Sequence, residues 1–535
     1  MSETLWTTDI ITDTPPASAP VSARQPTTPT TSRDALYERM KAKIAMNPAL
    51  DRALVSFQGN KQLSFSSWFK YREGFSEALV KYLLQTLRPE PGVLLDPFAG
   101  TGAALFAASA LGWKASGIEL LPVGIHAYQA RLLANRVAVE AFQAAATAAL
   151  QIDFAAHYDA RCAFQHIAIT RGAFPPAAEE ELAGYLAWCH ASIEDANVRA
   201  LMLYAAFCIL EEISYTRKDG QYLRWDARAG RSWGKKPFNK GPILPFREAL
   251  QGKLRQIAGD LGTRPVQQTL FGDSLPPQAV GERLEMHQGS CLELLPTLEA
   301  NSIDCILTSP PYANRYDYTR TYALELAFLG YTDEQVKHLR QAMLSCTVEN
   351  KEKRLLLQNA YTQMGRQHVF QHIDSVFQQQ AALHEALTIL EQYRRAGKLN
   401  NDNIARLVQN YFYEMCFVIY EMARLLKPGG LIAMVNDNVR YAGEEIPVDL
   451  ILSDMAESFG LTTRHIWTLE RGKGNSSQQM GEHGRSELRK CVYVWEKAAS
   501  ITSKGKLLAL RAWARYSSHQ RKMIHDSTTC HGYTN

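Results

Sequence analysis

The stretch 92–119 constrains the fold more than any other part of the chain. Gly92-Val93-Leu94-Leu95-Asp96 is an apolar run of strand length, and it breaks at once into Pro97-Phe98-Ala99-Gly100-Thr101-Gly102. Glycine lets the backbone reverse tightly and approach a ligand closely. An alanine-rich segment then predicts a helix over 103–111, and 114–118 reads as a second strand that ends at Glu119. Strand, glycine turn, helix and strand open a parallel α/β sheet. An α/β protein of Rossmann-like design is therefore expected.

The rest of the chain extends this sheet and interrupts it twice. Further strands are expected at 284–287, 302–307, 431–435, 462–470 and 490–495, and helices at 405–426 and 448–459. Lys427-Pro428-Gly429-Gly430 reads as the stop signal of the first of these helices. The residues ahead of the sheet divide into a Thr/Pro/Ser-rich disordered tail (1–33) and a first sheet part (34–136) that includes a short helix over 34–47. An insertion follows (137–281), helical at 178–193 and 197–213 and then basic. A second sheet part (282–329), a polar helical insertion (330–403), a closing part (404–498) and a basic tail (499–535) complete the order.

Composition narrows the class. With 46% hydrophobic and 21% charged residues over 535 positions, the chain can bury a substantial core as an ordinary globular protein. Its nine cysteines include no CxxC pair and no His/Cys cluster at ligand spacing, which argues against structural zinc and a secreted disulfide framework. No apolar run reaches the roughly 18 residues of a membrane span and no signal peptide is visible, so a cytoplasmic location and no membrane partner are expected.

Two acids frame the glycine turn. Leu105 stands where a phosphate-binding Gly-x-Gly-x-x-Gly motif would carry its third glycine, and Asp96 opens the turn. An acid here suits a cationic ligand better than a pyrophosphate. Glu119 ends the next strand, where doubly wound folds place the acid that grips ribose hydroxyls. Together they describe S-adenosylmethionine, with Asp96 near its amino-acid end and Glu119 on its ribose. NAD or ATP is the competing reading of the same spacing.

Thr308-Ser309-Pro310-Pro311-Tyr312 follows the strand at 302–307. Neither proline has an N–H and both have a fixed φ, so the loop leaves the ladder with its carbonyls held in place. Ser309 offers an oxygen, Pro310 a carbonyl and Tyr312 a flat ring. This is apparatus for holding a planar, amine-bearing ring such as a nucleobase; the plain alternative is a proline-stiffened turn.

The 96–102 and 308–312 motifs, in this order, resemble those of the amino-group DNA methyltransferases, which act on N4 of cytosine or N6 of adenine. The resemblance implies the class I methyltransferase sheet that uses S-adenosylmethionine, here with long, largely helical insertions. It implies cofactor contacts at Asp96, Pro97, Phe98, Gly100, Gly102 and Glu119. The segment 68–76 looks like the family's preceding short motif, which brings in Phe75 and Ser76. Gly289-Ser290 stands where the family usually has Gly-Asp, which brings in Ser290 without an acid. Ser309, Pro310, Pro311 and Tyr312 take the catalytic roles. The exocyclic amine is a poor nucleophile because its lone pair is conjugated, and two acceptors for its hydrogens turn that pair toward the methyl donor. Orientation carries the reaction, and Tyr312 stacks on the flipped base. Serine at the head of the loop leans toward N4-cytosine, with N6-adenine as the alternative.

The net charge is only +4, so a DNA surface must come from local clustering. The stretch 216–255 is the richest, and Arg217, Lys218, Arg224, Arg228, Arg231, Lys235 and Lys236 are its candidate contacts, interleaved with Tyr222, Trp225, Trp233 and Phe238. Arg471 and Lys473 mark a second candidate, the loop between the closing strands. Double-stranded DNA is the expected partner, within a restriction or defence system. An RNA substrate, or a non-catalytic nucleic-acid-binding subunit on the same fold, are the competing readings.

Overall fold

The computed structural model describes residues 31–72, 74–219, 222–231, 237–263, 283–470 and 488–499. Its strands are β1 (Ile44–Met46), β2 (Val93–Asp96), β3 (Lys114–Glu119), β4 (Thr216–Asp219), β5 (Tyr222–Trp225), β6 (Leu284–Gln288), β7 (Ile303–Thr308), β8 (Leu426–Asp437), β9 (Val439–Tyr441), β10 (Glu444–Ile446), β11 (Leu461–Thr468) and β12 (Lys490–Lys497). Eight form one sheet in the order β1-β11-β12-β8-β7-β2-β3-β6. From β8 through β7, β2 and β3 to β6 every pairing is parallel, while β12 runs antiparallel between β8 and β11. The strand order reverses between β2 and β7, and such a switch point opens a crevice beyond the carboxyl ends of the strands. The Rossmann-like α/β sheet expected from the sequence is present.

The central strands are buried on both faces, as a parallel sheet requires: Leu94, Leu95 and Ile306 have no exposed surface. Helices Glu77–Leu87 and Ala103–Ala110 belong to the buried cluster on one side, and helices Ile404–Leu425 and Val448–Ser458 to that on the other.

Several boundaries differ from expectation. The first helix is Ser32–Met40, entered early because Thr31 Oγ1 accepts from Asp34 N at 3.1 Å. Arg33, assigned to the tail by sequence, instead pairs with Glu385 at 2.8 Å and with Glu444. The chain then turns to extended β1 on the sheet edge rather than continuing as helix. Lys427-Pro428-Gly429-Gly430 does follow a helix end, at Leu425, but the strand starts there too, with a register irregularity opposite Ile303–Cys305. The β4–β5 and β9–β10 hairpins had no sequence expectation.

Neither insertion is an appendage. Helices Pro176–Ser192, Ala196–Ile213 and Phe246–Gly262 share one buried cluster with Trp68, Phe69 and Tyr71 and with Tyr316, Tyr318 and Tyr322 beyond the Ser309 loop. Trp68 Nε1 donates to Asp260 at 2.7 Å, and Lys253 donates to the Trp68 carbonyl at 2.8 Å. In the second insertion, buried Lys353 lies 2.8 Å from buried Glu414 of helix Ile404–Leu425, and Ser345 N donates to the same carboxylate at 2.7 Å. Removing one partner leaves the other charge uncompensated. Glu414→Ala should therefore lose about 3–5 kcal/mol in denaturant unfolding, and Lys353→Met combined with Glu414→Leu should recover most of it.

Candidate active site

Asp96 ends β2 beside Thr308 at the end of β7, because Leu94 and Leu95 lie in register with Cys305 and Ile306. Thr308 Oγ1 donates to Asp96 Oδ1 at 2.7 Å, and Phe98 N donates to the same oxygen at 3.0 Å. Glu119 closes β3, the neighbouring strand. Its Oε2 accepts from Gly100 N at 2.7 Å and its Oε1 from Leu121 N at 2.6 Å. The glycine turn is thus clamped between two carboxylates. Both are buried, and burial pushes each up to about 7 despite the hydrogen bonds that favour the charged forms.

A cleft with two lobes lies over this turn. The first is bordered by Pro97, Phe98, Glu119, Leu120, Leu121, Ser290, Cys291, Pro311, Met343 and Leu344. The second is bordered by Phe75, Asp96, Ala99, Gly100 and Thr101. Tyr71, Phe98 and Ser309 border both lobes. Each lobe therefore holds one of the acids, and the head of the Ser309 loop sits at their junction. Ser309 Oγ lies 3.4 Å from the Tyr312 hydroxyl, and Tyr441 of the β9–β10 hairpin donates to the Ala313 carbonyl at 2.5 Å, bracing the loop just past Tyr312.

Three curated proteins share most of this chain. It is 46% identical over 467 residues to proteins named type II methyltransferase M.AvaI from Nostoc sp. (strain PCC 7120) and from Anabaena variabilis, covering 86% of this chain and 92% of each relative. It is 40% identical over 461 residues, 84% of this chain and 88% of the relative, to type II methyltransferase M.BsoBI from Geobacillus stearothermophilus. The chain belongs to the type II methyltransferases. No family model matches it.

The methyltransferase brings together most of the residues singled out by sequence. Phe75, Asp96, Pro97, Phe98, Gly100, Glu119, Ser290, Ser309 and Pro311 border the cleft. Gly102 serves the turn from behind: its φ is 82°, and a Cβ there would lie 2.8 Å from Tyr128 Cδ2. Pro310 is buried and Tyr312 half-buried beside Ser309. Ser76 is a correction. It caps helix Glu77–Leu87, accepting from Leu79 N at 3.1 Å and donating to the Leu54 carbonyl at 2.6 Å, so its hydroxyl is committed to the backbone, and it is not among the residues bordering the cleft. The Ser290 hydroxyl donates to the Ala342 carbonyl at 3.2 Å.

The basic stretch divides in two. Lys218 is a second correction: only 3% exposed, it pairs with buried Glu325 at 2.5 Å and lies over the rings of Phe69 and Tyr322, which leaves it no surface for a phosphate. Arg228 pairs with Asp226 at 2.7 Å and donates to the Gly241 carbonyl at 2.7 Å while staying exposed. Arg217 and Arg224 are exposed and directly opposite each other on the β4–β5 hairpin, with Arg224 stacked on Phe238 at 3.9 Å and Arg231 on Trp225 at 4.3 Å. Strand β5 packs against helix Tyr318–Thr321, just past the Ser309 loop. Lys235, Lys236, Arg471 and Lys473 lie outside the described residues.

Sequence reasoning missed Tyr71, Leu120, Leu121, Cys291, Met343 and Leu344 as cleft residues. Leu120 and Leu121 directly follow the strand-end acid, which was an available signal; Met343 and Leu344 come from the second insertion and had none.

The two raised carboxyls dictate a pH dependence. Their native values of about 7 exceed the unfolded ones near 4, so between these limits the native state holds protons that the unfolded state has released. Stability of the ligand-free protein should fall as pH rises from about 5 to 7, by at most about 1.4 kcal/mol per group per pH unit. Asp96→Asn should flatten part of this fall in thermal melts taken across that range.

Proposed function

We propose that this methyltransferase moves the methyl group of S-adenosylmethionine to the exocyclic amine of a flipped base in double-stranded DNA, at a specific sequence, with N4 of cytosine preferred over N6 of adenine. The single observation that carries this reading is the junction of the two lobes, where Ser309 stands over a cleft with a carboxyl in each half. The cleft fits the cofactor. Asp96 faces a cationic amino-acid end, Glu119 retains carboxylate lone pairs for ribose hydroxyls, and Leu120, Cys291, Met343 and Leu344 give an apolar slot for a purine.

When bound, the cofactor supplies an activated methyl on a good leaving group. The chain's own residues do the rest by placement. Ser309 Oγ and the Pro310 carbonyl accept the two amine hydrogens, which localises the nitrogen lone pair. The Pro310-Pro311 step keeps these acceptors fixed, so little reorganisation is needed as the N–C bond forms. Tyr312 stacks on the base, and one such stack returns about 1–3 kcal/mol of a flipping cost of a few kcal/mol. No covalent base adduct is required. Buried Cys291 borders the cleft, and burial pushes its thiol well above the ordinary range, which suits a wall rather than a nucleophile.

Exposed Arg217, Arg224 and Arg228 and half-buried Arg231 are the proposed phosphate and base contacts, with Lys235, Lys236, Arg471 and Lys473 as further candidates from sequence. The names of the relatives support a setting in restriction–modification.

Labelled S-adenosylmethionine incubated with the protein and plasmid DNA, followed by digestion to nucleosides, should give labelled N4-methylcytosine. Labelled N6-methyladenine would move the assignment to adenine, and transfer to structured RNA alone would refute the DNA reading. Tyr312→Ala should lower kcat/KM by about 10- to 100-fold, the kinetic equivalent of the lost stack, with cofactor affinity unchanged in calorimetry.

A further inference from the structure

Arg315 stands three residues beyond Tyr312 and has two unfavourable features that its surroundings do not explain. Its backbone is left-handed, with φ 70°, and no other residue of the segment 308–322 has a positive φ. A side chain other than glycine avoids this region because its Cβ crowds the backbone. The conformation is imposed from both sides. The Ala313 carbonyl accepts from Tyr441, the Asn314 side chain accepts from Tyr316 N at 3.2 Å, and the Tyr316 carbonyl accepts from Cys346 Sγ at 3.3 Å. The second feature is in the side chain. Nε of half-buried Arg315 is buried with no hydrogen-bond partner, and Nη1 donates to the neutral side-chain oxygen of exposed Asn400 at 3.0 Å.

The charge is unmatched as well. Nearby arginines are paired: Arg320 with Glu349 at 2.9 Å, Arg340 with Asp317 at 3.0 Å and Arg440 with Glu445 at 3.3 Å. Among the described residues, Arg315 has no carboxylate at ion-pair distance. A guanidinium partly withdrawn from water without a counter-ion is unfavourable. Its planar fork is complementary to the paired oxygens of a carboxylate or phosphate. Strain that a fold holds in place marks functional positions, and here the strained residue is also the one whose charge awaits an anion.

Resting on the reading of the Ser309 loop as the seat of a flipped base, we propose that Arg315 binds the backbone phosphate of the target strand beside the flipped nucleotide. Flipping swings a nucleotide about its backbone, so the flanking phosphates are the pivots that must be held while the base reaches Tyr312. Three residues span at most about 10 Å of extended chain, the scale of a single nucleotide. A phosphate is favoured over a guanine edge because the unmatched feature is a full charge, which a phosphate neutralises and a base edge does not. Arg217 and Arg224 stand on the β4–β5 hairpin of the first insertion. Arg315 adds a contact on the base-holding loop itself.

DNA affinity measured across salt concentrations provides the test, with a duplex carrying a site that the wild-type protein methylates. Arg315→Asn removes the charge and installs a residue that tolerates the left-handed region. It should weaken DNA binding about 10-fold and reduce the slope of log affinity against log salt by about 1, with a melting temperature equal to or above that of the wild type. Arg315→Lys should keep the wild-type slope. A single neutral methylphosphonate at one of the two phosphates flanking the target nucleotide should weaken wild-type binding and leave that of Arg315→Asn unchanged, because the contact is already gone. Unchanged affinity and slope in Arg315→Asn would overturn the phosphate role, as would losses that add to those of the methylphosphonate at both positions. A loss of discrimination between sequences with the slope kept would move Arg315 to a base edge. Wild-type binding that is indifferent to both methylphosphonates would overturn the proposal without any variant. Failure of the wild-type protein to methylate DNA would overturn the reading of the Ser309 loop beneath it.

Discussion

The hydrogen bond from Thr308 to Asp96 joins residues 212 positions apart and makes one site out of two loops. It forms because β2 and β7 are parallel neighbours whose carboxyl ends point the same way. One strand end carries the glycine turn, proposed for the donor, and the other carries the Ser309 loop, proposed for the acceptor. A slip in this pairing would separate them, since a one-residue shift in a strand turns its side chains to the opposite face. The long first insertion therefore has to return the chain to the sheet in register, and its shared core with both flanks accomplishes this.

The way the insertions are fastened explains why so many cations are not on the surface. Lys218 is sealed against Glu325, Lys240 caps the end of helix Ala196–Ile213 through the Glu211, Ser214 and Thr216 carbonyls, and Arg247 donates to the Leu150 and Ile152 carbonyls. Buried charges of this kind must be matched by partners or carbonyls. What remains exposed in the described part of the stretch is smaller than the count of basic residues suggests: Arg217 and Arg224 on the β4–β5 hairpin, Arg228 just after it and Arg255 on helix Phe246–Gly262.

The sheet was legible in the sequence because buried parallel strands are short apolar runs with sharp ends, and 92–96, 302–307 and 490–495 all have that form. The acid positions were legible for the same reason, as each terminates a strand. Three things were not. β1 is an edge strand of three residues, Ile44–Met46, whose partner is more than 400 residues away, and no local periodicity marks it. Ser76 carried a family expectation, but its hydroxyl meets the more general need of a helix N-terminus. Lys218 and Arg217 are adjacent and equally basic, and the alternation of a strand sends one inward and the other out; only knowledge that 216–219 is a strand distinguishes them.

Met343 and Leu344 wall the first lobe from within the second insertion, which Lys353 pins to helix Ile404–Leu425. That segment is consequently not a cassette. Recombination between relatives that exchanged residues 330–403 as a block would carry part of the wall of the cleft along with whatever else the segment does, and the incoming wall would have to match a turn and a strand end it had never met. Divergence in this family should proceed more readily by drift on the exposed face of the β4–β5 hairpin, where a changed side chain disturbs no shared core.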